Sequence, residues 1–242
     1  MTKQGVATSQ RKVVKIAGFM FLFAFIIPTL NWALVLSKFN IAGDALATAK
    51  NIMANTFLFR LGISVELLMA VGLIVLGLAL YVLLKSVNKY LALLALVLKL
   101  VEATLMAVTV LLPFIALEFT HADAASTALT QEQLKMPLGL LFNAHTAITA
   151  VPMVFLGLDM MLFCYLFLKS KFIPRLLAGF GILSFFLILV QSLLFILAPE
   201  YATMPINQII FWAPSGLFEI VIGLWFLIKG INTHQLPEPK TP

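Results

Sequence analysis

The sequence predicts an all-α protein that crosses a membrane six times, and two observations support this prediction. First, 62% of the 242 residues are hydrophobic and only 11% are charged, whereas soluble domains are about half apolar and about a quarter charged. Second, six apolar segments each reach the roughly 20 residues that span a bilayer. Such continuous runs lack the alternating pattern of a membrane barrel, so each crossing is expected to be a helix.

The six segments follow one another with short connections, so we expect one integral membrane domain over residues 1–242. The first segment follows a basic N-terminus, as a signal peptide would. It is longer than the apolar core of a signal peptide and is expected to remain as the first helix of the bundle. The predicted spans are 13–36, 57–84, 90–117, 136–168, 173–197 and 206–228.

The connections predict how neighbouring spans are arranged. The loops 85–89 and 169–173 are very short, so spans two and three, and likewise spans four and five, are expected to be antiparallel neighbours. Before span two, Asp44 is a good N-cap for a short interfacial helix. The capping-box pattern at 130–133 predicts a helix that begins outside the membrane and continues as span four, where Pro152 predicts a kink.

Basic residues are distributed unequally between the two sides of this arrangement. Eleven lie on the side of both termini and three lie on the opposite, acidic side, which predicts cytoplasmic termini. Because topology accounts for the net charge of +6, we expect no nucleic-acid binding. The eleven are Lys3, Arg11, Lys12, Lys15, Lys85, Lys89, Lys169, Lys171, Arg175, Lys229 and Lys240, and the three are Lys38, Lys50 and Lys135.

Ionisable side chains also occur inside the predicted spans, where each is costly unless it is paired or hydrated. Counting about 1.5 Å per residue places three of the acids near the bilayer centre. Lys99 lies one turn from Glu102 on the same helical face. The intramembrane set comprises Arg60, Glu66, Lys99, Glu102, His145, Asp159 and Glu219.

Two interpretations of this set remain open. In the first, Lys99 neutralises Glu102 or another acid, Arg60 neutralises Glu66 or meets lipid headgroups, and the remaining acids are protonated or bonded to Ser, Asn and backbone groups. In the second, four acids against two fixed cations leave an excess of carboxylate, so at least one acid exchanges protons or binds a cationic group. We favour the second. The predicted ligand or proton pathway comprises Arg60, Glu66, Lys99, Glu102, Asp159 and Glu219.

The leading functional hypothesis is therefore a small membrane transporter or binding protein for a small or amphipathic molecule, coupled to protons through these carboxylates. One alternative is an intramembrane enzyme in which two acids perform acid/base chemistry on a lipid. Another is a structural or regulatory subunit with no chemistry of its own. The expected partners are membrane lipids and a small-molecule or lipid ligand, and the oligomeric state is left open.

No metal site and no cofactor are predicted. The chain contains three histidines, His121, His145 and His234, which is too few for a multi-histidine catalytic metal site in the membrane. Phosphate-loop, dinucleotide, zinc-protease and hydrolase motifs are absent from the sequence. The role of His145 stays open between a ligand in a carboxylate-rich metal site and an interfacial or core histidine.

Four stretches carry a resemblance to a known family. They are GDALATAKNIMAN followed by FLFRLGIS within 43–64, LYVLLKSVNKYLALLALVLKLVEA at 80–103, FLGLDMMLFCYLFLKSKFIPRLLAG at 155–179 and GLFEIVIGLWFLIKGI at 216–231. In their order they resemble an uncharacterised family of bacterial multi-pass membrane proteins, domain of unknown function family 4386. The resemblance implies a fold and a topology but no activity. It gives counterparts to Arg60, Glu66, Lys99, Pro174-Arg175 and Glu219, whereas Asp159 departs from the pattern.

The predicted topology can be tested by cysteine labelling in a Cys164→Ser background, because Cys164 is the only cysteine. In intact cells a membrane-impermeant maleimide should label Ser126→Cys on the outer side and leave Ser170→Cys unlabelled. Labelling of position 170 from outside would contradict cytoplasmic termini.

Overall fold

The computed structural model describes residues 3–41, 44–118 and 131–232. Helices form nearly all of this part of the chain, and no strand occurs within it. Six of its helical segments are long and apolar enough to cross a membrane, which confirms the predicted all-α, multi-pass class. They are Gln10–Lys38, Thr56–Leu84, Lys89–Glu118, Met136–Ser170, Arg175–Leu197 and Pro205–Ile228. The side of each terminus and the single-domain organisation stay predictions.

The helices are numbered in chain order. A short 3-10 turn, Leu36–Lys38, follows the first helix. The helices are α1 (Lys3–Leu34), α2 (Ala45–Ala54), α3 (Thr56–Leu84), α4 (Lys89–Thr109), α5 (Leu111–Glu118), α6 (Gln131–Ile148), α7 (Ala150–Ser170), α8 (Arg175–Leu197), α9 (Pro199–Ala202) and α10 (Pro205–Ile228).

The cap predicted for α2 is present, since the Ala47 amide donates to Asp44 Oδ1 at 2.8 Å. The predicted capping-box residue Thr130 lies outside the described residues, although α6 begins at the next position.

Two of the long apolar segments are each divided into two helices. The third span is interrupted at Val110, between α4 and α5, and the fourth is interrupted at Thr149, between α6 and α7. Each interruption lies three residues before a proline, Pro113 or Pro152. A proline ring clashes with the carbonyl four residues earlier and removes one helical hydrogen bond. The kink predicted from Pro152 is therefore confirmed, and the third predicted span, 90–117, is present as Lys89–Glu118 with a break at Val110 that was not predicted.

The chain forms two compact units. The first unit comprises the described residues within 1–25, 72–103 and 150–242, and the second unit comprises those within 26–71 and 104–149. Helices α1, α3 and α4 each contribute residues to both units.

In the first unit α7 packs along α8, and α8 packs against α10. Aromatic side chains fill the space between them, with Phe218 in edge-to-face contact with Phe185 at 5.6 Å between ring centroids. Helices α1 and α10 cross closely at two glycines. A Cβ added to Gly18 would lie 2.8 Å from the backbone oxygen of Gly223. Small residues at a helix crossing allow the two backbones to approach this closely.

In the second unit α6 packs against both α2 and α5. Phe59 contacts Phe39 and Phe142 in two edge-to-face pairs with centroid distances of 5.3 and 5.2 Å. The Asn31 side-chain amide donates to the Gly62 carbonyl at 3.0 Å, which ties the end of α1 to α3. Aromatic packing and buried polar contacts such as this bond therefore contribute to holding this unit together.

The glycine crossing generates a test with an internal control. Gly18→Ala should destabilise the protein by about 1–3 kcal/mol, because the added methyl meets backbone that cannot move aside. Gly179→Ala, on α8, should be neutral or stabilising by up to about 1 kcal/mol, because a Cβ there meets nothing within 4 Å and alanine favours the helix. Thermal unfolding in detergent measures both changes. Equal effects at the two positions would contradict the close crossing.

Candidate functional site

A buried lysine in the first unit contacts two carboxylates. Lys99 Nζ lies 2.6 Å from Glu102 Oε2 and 2.9 Å from Asp159 Oδ1. All three side chains are at most 1% exposed. We call these three residues the Lys99 triad. The triad contains the contact between Lys99 and an intramembrane acid that the first of the two interpretations describes, and it connects α4 to α7.

Local sequence explains how Lys99 is accommodated. Lys99 and Glu102 lie three positions apart on α4, so they are neighbours on one helical face. Opposite them on α3, Gly77 leaves room for the lysine stem, since a Cβ at Gly77 would lie 2.8 Å from Lys99 Cγ. The ammonium is thereby held beside its partners inside the unit.

The two contacts of Lys99 are not equivalent. Lys99 donates a hydrogen bond to Glu102, whereas its short contact with Asp159 is an ion pair without hydrogen-bond alignment. Both Asp159 oxygens are buried and accept no hydrogen bond from the part of the chain that the structure describes. Asp159 is therefore the less satisfied of the two acids.

Glu219 adds a third carboxyl group to this region. It lies on α10, is partly buried and interacts electrostatically with Lys99 and Glu102. The structure thus brings together four of the predicted pathway residues, three acids and one cation. A cluster of this composition carries more negative than positive charge unless protons or another cation neutralise it.

The second unit contains a separate polar pair. His145 Nε2 on α6 lies 3.0 Å from Glu66 Oε2 and 3.3 Å from Oε1 on α3. The imidazole is buried beside the Phe142 ring, with 5.9 Å between centroids. Its Nδ1 is buried and has no hydrogen-bond partner among the described residues. Arg60 lies on the same helix, α3, six positions before Glu66, and its side chain is half-buried.

Sequence reasoning did not pair His145 with Glu66. It left the histidine open between a metal ligand and a core position, and it considered Arg60 as the counter-charge of Glu66. The two residues are 79 positions apart on different helices, so no local spacing relates them. Apart from the ionisable character of both residues, the sequence holds no signal for this contact.

Metal binding receives no support from the described residues. No group of three or more His, Cys, Asp or Glu side chains is arranged there to hold a metal ion. Cys164, on α7, is a buried free thiol that lies against Gly181.

Comparison with known proteins identifies the family. The family model described as a domain of unknown function, DUF4386, matches residues 16–230. The chain belongs to this family. No curated protein and no solved structure matches it. Because the DUF4386 description assigns no activity, the function of this DUF4386 protein has to be argued from its two polar clusters.

The charge balance of the triad predicts an order of mutational effects. Lys99→Met leaves two buried acids without their cation and should cost roughly 3 to 5 kcal/mol. Asp159→Asn leaves a neutral Lys99–Glu102 pair and should cost less. Combining Lys99→Met with Glu102→Gln and Asp159→Asn should recover much of the loss, because no buried charge is stranded.

Thermal stability in detergent measures this series. Glu118→Gln, at the exposed end of α5, is the matched control and should behave as wild type. Simple additivity of the three losses would show that the residues are not partners.

Proposed function

We propose that this protein is a small transporter of the bacterial inner membrane, which binds a small or amphipathic molecule and couples its movement to protons. The Lys99 triad carries this proposal. Two carboxylates share one ammonium inside a span, and Glu219 adds a further acid nearby. The six apolar helices and the cationic short loops support an inner-membrane location.

The chemistry of the proposed site follows from charge neutrality. With both acids ionised, the triad carries one net negative charge in a low-dielectric environment, where uncompensated charge is strongly disfavoured. One bound proton, or one bound cationic group, neutralises it. A proton and a cation therefore compete for the same acids, and that competition is the basis of exchange transport.

Asp159 is the acid best suited to exchange. Protonation of Asp159 gives up a 2.9 Å ion pair with Lys99, whereas protonation of Glu102 gives up a shorter 2.6 Å ion pair that is also a hydrogen bond. Because none of the triad side chains is more than 1% exposed, exchange requires that the helices around the triad move apart.

A structural role is the second candidate, and the same burial favours it. A lysine enclosed by two acids can fix the contact between α4 and α7 without any exchange of protons. The two functions differ in whether the carboxyl groups titrate.

Infrared difference spectroscopy separates the two candidates without knowledge of the substrate. Spectra recorded between about pH 5 and pH 9 should show a protonated-carboxyl band that titrates and disappears in Asp159→Asn. Glu118→Gln should leave this band unchanged. If no carboxyl band titrates in the wild-type protein, proton coupling through the triad is wrong and the structural role is favoured.

Transport itself can be measured in proteoliposomes loaded with a pH-sensitive dye. Ethidium, an amphipathic cation, added outside acid-loaded vesicles should accelerate the rise of internal pH when wild-type protein is present. Asp159→Asn should reduce this rate to that of protein-free vesicles, and Glu118→Gln should retain it. If ethidium does not change the rate at which internal pH rises, but a carboxyl band still titrates, ethidium is not a substrate and the transported molecule is a different one.

A further inference from the structure

A basic cavity opens where three candidate spans end in the first unit. It has a volume of about 510 Å³ and is lined by residues of the α7–α8 loop, the start of α8 and the end of α10. Its charged lining residues are Lys171, Arg175 and Lys229, and Trp225 forms part of its wall. No acid lines it. The cavity is therefore a concentration of positive charge at the membrane boundary.

Backbone and side-chain contacts shape this cavity. Lys171 adopts a left-handed conformation with φ of 57°, which ends α7. The backbone N–H of Asn232 donates to the backbone carbonyl of Phe172 at 3.0 Å. This bond ties the segment after α10 to the α7–α8 loop. Lys229 Nζ lies 4.5 Å from the centroid of the Trp225 ring. The three cations are thus presented by chain segments that are bonded to one another.

Apolar side chains lie next to the cations in the sequence. Leu176 follows Arg175 and is 86% exposed, and Ile228 precedes Lys229 and is 78% exposed. We propose that the cavity binds the phosphate headgroup of an anionic phospholipid, whose acyl chain lies along Leu176 and Ile228. Basic recesses between membrane helices recognise anionic headgroups in this way. A free phosphate would use the cations but not the exposed apolar groups.

Topology alone does not account for this arrangement. The positive-inside bias places cations in both short loops, including Lys85 and Lys89 of the α3–α4 loop. Those two lysines lie outside the cavity lining, and Lys85 stands over the Tyr81 ring at 5.9 Å. They provide a control, because they are cations of a short loop on the same side of the membrane but do not line the cavity.

Fluorescence quenching in the intact 242-residue chain tests the proposal. The chain has three tryptophans, so Trp32→Phe with Trp212→Phe leaves Trp225 as the only tryptophan, which is excited selectively at wavelengths that tyrosine does not absorb. In nanodiscs, phosphatidylglycerol with brominated acyl chains should quench Trp225 at a lower lipid fraction than brominated phosphatidylcholine. The preference should fall about fivefold for each of Lys171→Gln, Arg175→Gln and Lys229→Gln. The double variant Lys85→Gln with Lys89→Gln should retain it.

Each other outcome overturns the proposal. Equal quenching by the two lipids would mean ordinary contact with surrounding lipid. Loss of the preference in the Lys85/Lys89 control would mean a general surface charge effect. Competition by millimolar sodium phosphate would assign the cavity to free phosphate instead. Arg175→Gln, with unchanged thermal stability, keeps the test valid if either of the two lysine variants fails to fold.

Discussion

The positive charge of Lys99 constrains the interior of the first unit more than any other single group. An ammonium in a membrane span must be matched by negative charge or reach water, and the burial of Lys99 excludes the second option. Its two short contacts join α4 to α7, and its stem requires a glycine on α3. Three helices are therefore positioned around one charge.

Composition was sufficient to predict the six spans, because the need to bury apolar surface and satisfy backbone groups in lipid leaves helices as the only solution. The Lys99–Glu102 pair was predictable because it is local. Asp159 was only one of several candidate partners, since its place depends on how α7 packs. The Glu66–His145 contact depends entirely on the packing of α3 against α6, so it was not found. The break at Val110 was missed although Pro113 marked it.

The two polar clusters support different statements about function. The Lys99 triad has a surplus of acid and an under-satisfied carboxylate, which are the properties that proton exchange requires. The Glu66–His145 pair balances one acid with one base within the second unit, so it can hold a proton without a net charge deficit. The basic cavity is formed by other residues and concerns the lipid boundary. The proposed transport and the proposed lipid site can therefore fail independently.

Solid-state NMR of the protein in lipid, with ¹⁵N-labelled lysine and ¹³C-labelled aspartate and glutamate, tests the central claim most directly. The Lys99 amine nitrogen, assigned by its loss in Lys99→Met, should have the chemical shift of an ammonium and show dipolar contacts to two carboxyl carbons. One contact should disappear in Glu102→Gln and the other in Asp159→Asn. A neutral amine, or an ammonium without a carboxyl contact from Asp159, would contradict a lysine that joins α4 to α7.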